Sequence, residues 1–161
     1  MALTDKQKKV IEALNTARSM ELYAIVQYMH QHYTLDDADY KKLASEVKHI
    51  AIAEMKHAEA FAERIKDICG DELPTAQLAQ DITKGQKVED LFAFDAATEA
   101  DTTAKYNEFA KLCRDNGDVI SAQLFEKIAV VEQEHFNYYD DTDTHIKKLG
   151  NSFLAKVVEK E

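Results

Sequence analysis

The 161-residue chain has little of what breaks a helix: one proline and four glycines, and it has no tryptophan. So few breakers argue against a sheet-rich fold, which needs turn residues at the end of each short strand. An abundance of Ala, Glu, Lys and Leu favours long helices instead. Two cysteines, Cys69 and Cys113, lie too far apart for a zinc knuckle or a CxxC pair, and are expected to be structural thiols. No stretch approaches the ~20 apolar residues of a membrane span. The opening Met1-Ala2-Leu3-Thr4-Asp5-Lys6 lacks the apolar run of a secretory signal, so a cytoplasmic location with no membrane partner is expected. Excess basic charge is missing too: 20 Lys and Arg stand against 30 Asp and Glu, a formal charge of −10. That balance argues against nucleic acid as a partner, whereas an acidic surface concentrates cations.

The length suits one domain over 1–161. The breakers cluster at Gly70 with Pro74, Gly85, Gly117 and Gly150, and apolar residues recur at helical spacing between them. Thr4 with Gln7 forms a capping-box pattern ahead of a first helix over about 4–33, and Thr34-Leu35-Asp36-Asp37 reads as a turn. Asp36 or Asp37 would cap a second helix, 37–69, closed by Gly70. Residues 71–87 read as an extended connection. Further helices follow at 88–116 and 118–148, with Gly117 as the turn, and a short one at 152–159. Tight turns within each pair and a long connection between pairs describe an all-α, antiparallel four-helix bundle with one lengthwise crossover and a short C-terminal fifth helix.

Two segments read Glu-x-x-His: Glu54-Met55-Lys56-His57 in the second helix and Glu132-Gln133-Glu134-His135 in the fourth. Spacing of i, i+3 places both ligand types on one helix face. The first and third helices each carry a Glu among mostly apolar neighbours, Glu21 and Glu99. The register is the stronger signal: 54 − 21 = 33 and 132 − 99 = 33, so the two hairpins repeat one half-site. A single Glu-x-x-His is commonly just a solvated surface, but two in register, with a Glu framed by apolar residues in each hairpin, point to metal. Four carboxylates and two imidazoles converging in a bundle interior need neutralising, and two divalent cations supply the charge. One Glu from each of two helices and one Glu-x-x-His from each of the others is the di-iron carboxylate arrangement. Mixed oxygen and imidazole ligation suits Fe(II) or Mn(II), and admits zinc.

On these residues, and most sharply on Glu54-Met55-Lys56-His57-Ala58, the sequence resembles the bacterioferritins along nearly its whole length. The resemblance implies a ferritin-like fold and a ferroxidase holding two Fe per subunit. Glu54 and Glu132 would bridge the irons, Glu21 and Glu99 would bind one each, and His57 and His135 would complete the site. It further implies that Tyr28 supplies an electron or a hydrogen bond. Met55 corresponds to the methionine that, paired across two subunits, ligates one shared haem b, with Leu22, Ile25, Val26, Met29 and Ile52 spaced to line its pocket. Residue chemistry alone would make Met55 ordinary packing. His49 matches an inner-surface iron-binding histidine, but its usual acidic companion is here Ala53, which argues against that site. Tyr138 stands where the family often has Trp. His30, His32 and His145 read as surface residues.

The implied function is iron storage and detoxification: Fe(II) is oxidised by O2 or H2O2 and stored as Fe(III) in a homo-oligomeric cage of 24 subunits, or of 12, with a ferredoxin-type reductant for release. Two alternatives are a di-iron or di-manganese oxidase or peroxidase that stores nothing, and a haem- or metal-binding helical module without catalysis. The chain lacks the CxxC pair of a rubrerythrin-like peroxidase, and a plain module needs no six-residue register.

Overall fold

The computed structural model describes residues 2–158, and among them there are five helices and no strand. They are α1 (Asp5–Asp37), α2 (Lys41–Ile68), α3 (Val88–Asp115), α4 (Val119–Leu149) and α5 (Asn151–Lys156). Helices α1 and α2 pack as one hairpin and α3 and α4 as another; α1 touches α3 and α2 touches α4, and α5 folds back onto α4. At ~1.5 Å per residue each long helix runs roughly 40–50 Å. No helix among the described residues is long and apolar enough to cross a membrane.

The helix ends show where sequence signals act and where tertiary packing overrides them. Thr4 and Gln7 form the capping box: each side chain accepts from the other's backbone N–H, at 3.2 and 2.9 Å. Residues 34–37 are a correction, because they continue α1 instead of turning. Leu35 is fully buried in the core, and its burial outweighs the weak helix propensity of the two Asp beside it. The turn comes at Asp39, which takes the left-handed region with φ 66°. Helix α2 therefore starts at Lys41, later than expected, and neither Asp36 nor Asp37 caps it; Asp36 instead accepts from Lys41 Nζ at 3.0 Å. Its far end stops at Ile68 with an extended Cys69, so Gly70 is not a left-handed cap. Gly117 does make the α3–α4 turn with φ 77°, where a side chain would be strained. Asp118 then caps α4 by accepting from Ser121 N. Helix α5 begins one residue earlier and ends earlier than expected, at Lys156, while Glu159 lies outside the described residues.

Residues 69–87 cross the length of the bundle along α1, held by a row of α1 side chains. Asn15 accepts from Thr75 N at 2.7 Å, Arg18 Nε donates to Thr75 O at 2.9 Å, and Gln27 pairs both ways with the Thr83 backbone. This tie is polar and irregular, which is why the segment carries no hydrophobic period.

The buried interior divides into two clusters. One includes Leu14, Phe61, Tyr106, Phe109, Cys113 and Phe125; the other includes Tyr28, Leu35, Val47, Phe92, Tyr139 and Leu154. Between them lie the buried acids.

Candidate metal centre

Glu21, Glu54, Glu99 and Glu132 are each at most 2% exposed, one from every long helix, and His57 and His135 stand beside them. The Glu-x-x-His spacing turns each Glu and His of α2 and α4 to the same inward face. The contacts cross between hairpins. Glu54 reaches His57 Nδ1 with Oε2 at 3.0 Å and His135 Nδ1 with Oε1 at 2.8 Å. Glu132 does the converse, Oε1 to His57 at 2.9 Å and Oε2 to His135 at 3.2 Å. Glu21 lies on the His57 side at 3.5 Å, and Glu99 on the His135 side at 3.9 Å. Two overlapping groups result, Glu21-Glu54-His57-Glu132 and Glu54-Glu99-Glu132-His135, each with ligand atoms within 4.8 Å of one another. The sequence-derived six therefore converge, with Glu54 and Glu132 common to both halves.

The electrostatics are those of a charge cluster short of cations. Burial, and then the charges of Glu54 and Glu132, push the carboxyls of Glu21 and Glu99 well above the usual range. Burial opposes the ionised form of Glu132 too, but hydrogen bonds from His135 and His57 hold it well below that range. Burial disfavours the charged imidazoles, yet hydrogen bonds to Glu132 and Glu54 prevail, raising His57 to about 9 and His135 to about 10. Protons thus carry the compensating positive charge. Two divalent cations offer four charges against four carboxylates and take the imidazoles as neutral ligands, so this donor set fits a pair of borderline metals such as Fe(II).

Tyr28 donates to Glu99 Oε1 at 2.6 Å from the opposite hairpin. Its counterpart escaped the sequence analysis: Tyr106 donates to Glu21 Oε1 at 2.7 Å. The signal was present, since 28 − 21 = 7 and 106 − 99 = 7, and the half-site repeat extends to both tyrosines. Burial, followed by the carboxylate each one contacts, raises both phenols well above 10, so they act as neutral donors.

Met55 is 53% exposed and lines a groove of about 370 Å³ with Arg18, Leu22, Ile25, Ala58 and Ala62, outside the acid cluster. Val26 and Ile52 are also exposed, while Met29 packs against the core. Tyr138 packs at a tilt against Tyr139 and edge-on to Phe92, on the Tyr28 side. His49 is exposed; His32 is not, being half-buried with Nδ1 2.7 Å from Ala44 O. Cys69 and Cys113 are free thiols, and burial of Cys113 pushes it up to about 12, a poor nucleophile.

Two hairpins joined by a crossover around four buried carboxylates and two imidazoles define a ferritin-like protein. The Ferritin-like domain family matches residues 11–149. The bacterioferritin of Desulfovibrio desulfuricans is 50% identical over 153 residues, 95% of this chain and 84% of the relative; that of Brucella melitensis is 33% identical over 144 residues, 89% and 88% of the two chains. Among solved structures, D. desulfuricans bacterioferritin, whose diiron site has been seen in different catalytic states, superposes with a TM-score of 0.94 at 49% identity, covering 99% of this chain and 93% of that one. Mycobacterium tuberculosis bacterioferritin BfrA superposes with a TM-score of 0.89 at 31% identity, covering 99% and 98%. The chain belongs to the bacterioferritins.

Proposed function

We propose that Glu21, Glu54, His57, Glu99, Glu132 and His135 hold two irons, and that the chain oxidises Fe(II) to Fe(III) for storage and detoxification. The observation that carries this is the crossed contact pattern, in which Glu54 and Glu132 each address both imidazoles through separate oxygens. Two cations held here would share Glu54 and Glu132, with Glu21 serving the one beside His57 and Glu99 the one beside His135.

Fe(II) is the substrate and O2 or H2O2 the oxidant; iron supplies the electrons, and the protein supplies geometry and proton control. Entering cations displace the protons held on Glu21, Glu99, His57 and His135. Tyr28 and Tyr106 would orient the terminal carboxylates by donating to Oε1 of Glu99 and of Glu21. By the family resemblance, Tyr28 would also supply an electron. The apolar walls on the Phe125 side keep water from competing for the ligands.

The storage reading carries further parts: a homo-oligomeric shell of 24 subunits, with 12 as the smaller alternative, a cytoplasmic setting, and a ferredoxin-type reductant for iron release. The exposed Met55, in a groove lined by Leu22, Ile25, Ala58 and Ala62 with Arg18 and Glu59 among them, supports a haem b shared between two subunits. Titration with haemin should give a bis-methionine absorption spectrum that Met55→Leu abolishes. Particle mass separates storage from a non-storing oxidase on the same bundle, since the oxidase needs no shell.

The test of the reading is an anaerobic Fe(II) titration followed by air. A fast Fe(III) absorbance phase should saturate at about two Fe per chain and vanish in Glu54→Ala, Glu132→Ala. A slow, unsaturable rise identical in both proteins would overturn it.

A further inference from the structure

Asp95 stands on α3 one turn before Glu99, is 0% exposed, and has a single partner: Gln31 Nε2 donates to its Oδ1 at 2.8 Å. Its Oδ2 has no partner, and neither has Oε1 of the same Gln31. Two idle acceptors on one buried carboxyl-amide pair are costly for an ionised acid, because neither can donate. A proton on Oδ2 supplies the one donor the pair lacks.

The surroundings favour that neutral form. The side chains facing Asp95 are Tyr23, Tyr28 and Gln31 of α1 and Tyr138 and Tyr139 of α4, and its charge helps raise all four phenols. Burial pushes its own carboxyl well above the usual range, and only the Gln31 hydrogen bond opposes this; no cationic side chain does. Tyr139, packed against Tyr28, has an unpartnered hydroxyl; burial first, and then the charges of Asp95 and Glu99, push that phenol up. On the other side Gln31 reaches Gln86 Oε1 at 3.1 Å, in the half-exposed crossover.

We propose that Asp95, partnered by Gln31, holds a proton while the six-residue centre carries two divalent cations and releases it when they are oxidised. The inference rests on the reading of that centre given above. Four carboxylates balance two divalent cations, but two trivalent ones leave an excess of positive charge in a poorly screened interior. Asp95, about one helical turn (~5 Å) along α3 from Glu99, restores one negative charge by ionising. With H2O2 as oxidant, two Fe(II) give two electrons, the O–O bond breaks, and two protons complete two waters. Asp95 supplies one of these protons by way of Tyr139, and solvent supplies the other. Departure of Fe(III) lets the carboxyl take its proton back.

Infrared spectroscopy of the full-length protein grown with carbon-13 aspartate tests this, after Zn(II) titration has shown whether about two cations bind per chain and are lost in Glu54→Ala, Glu132→Ala. That stoichiometry tests the centre itself; the spectra test Asp95. In the Zn(II)-loaded protein, whose glutamates are ionised by their ligands, a protonated-carboxyl C=O stretch should move with the aspartate label and vanish in Asp95→Asn. Gln31→Leu should shift the same band without removing it, which keeps the assignment secure if the Asn variant does not fold. The band should persist with anaerobic Fe(II) and disappear on oxidation, and Asp95→Asn should then take about one more proton per chain from solvent. No labelled band in the Zn(II) form, or a band unchanged by oxidation, overturns the inference while leaving the Zn(II) stoichiometry as it stands.

Discussion

The two ends of the bundle start from one repeated pattern and finish differently. On the Phe125 side of the acid cluster the interior is aromatic and dry, with Phe61, Tyr106 and Phe109 at ring distances of 5.5, 5.5 and 5.4 Å from one another or from Phe125. On the Tyr139 side, Gln31, Asp95, Tyr138 and Tyr139 are at least largely buried and carry unpaired polar atoms. The repeat offset shows where the ends diverge: 99 − 21 = 78, and the same shift relates Ala17 to Asp95, Phe61 to Tyr139, and Gln31 to Phe109. The six acids and imidazoles and the two tyrosines beside them match across the repeat, while the residues around them do not. On the proposed reading, symmetry is kept around the two cation seats and dropped where one end holds a proton.

Truncating the dry end should do the most damage. Phe125→Ala opens a cavity among three aromatic rings and should cost about 3–5 kcal/mol, read as a lower denaturation midpoint with metal-free protein. A cost below about 1 kcal/mol would mean that this end is not the main source of stability. Next are the matched tyrosines: Tyr28→Phe and Tyr106→Phe should each weaken Zn(II) binding about tenfold, and by similar factors, because each removes one donor to one terminal carboxylate. Unequal losses would show that the symmetry of the centre is only geometric.

A smaller effect concerns the turn at the dry end. Arg64 Nη2 bonds Asp118 at 3.0 and 3.1 Å and Arg64 Nε bonds Ser121, so Asp118→Ala should cost about 1–2 kcal/mol. Burial alone would raise Asp118, but the bonds from Ser121 and Arg64 hold its carboxyl below 3.8. A depressed folded-state value means that this stabilisation is present above about pH 4 and is lost as pH falls through the lower folded value. Acid titration of the wild type against Asp118→Asn should show the difference between them closing in that window. Smallest of all, Tyr139→Phe removes a hydroxyl with no partner and should change stability by less than about 1 kcal/mol, in either direction.

The sequence made the fold and the six acids and imidazoles legible for the same reason: both depend on helical spacing, which is periodic and local. Glu21 and Glu99 stood out because apolar neighbours frame them, and the Glu-x-x-His pairs because they recur at one register. What stayed hidden depends on contacts between distant segments. Leu35 keeps α1 helical past a turn-like Thr-Leu-Asp-Asp only because a core waits for it. Asp95 reads as one more acid in a chain with 30, and only the surrounding phenols and Gln31 distinguish it. Tyr106 is the exception: the repeat would have exposed it had the spacing been followed past the ligands.

The central claim is that two cations occupy the centre, each with one imidazole and one terminal Glu, sharing Glu54 and Glu132. Anomalous diffraction at the iron edge, from crystals soaked anaerobically in Fe(II), tests it most directly. Two peaks within each bundle, one flanked by Glu21 and His57 and the other by Glu99 and His135, are predicted. A single peak, or iron bound only at the surface with the six side chains still hydrogen-bonded to one another, would contradict the account.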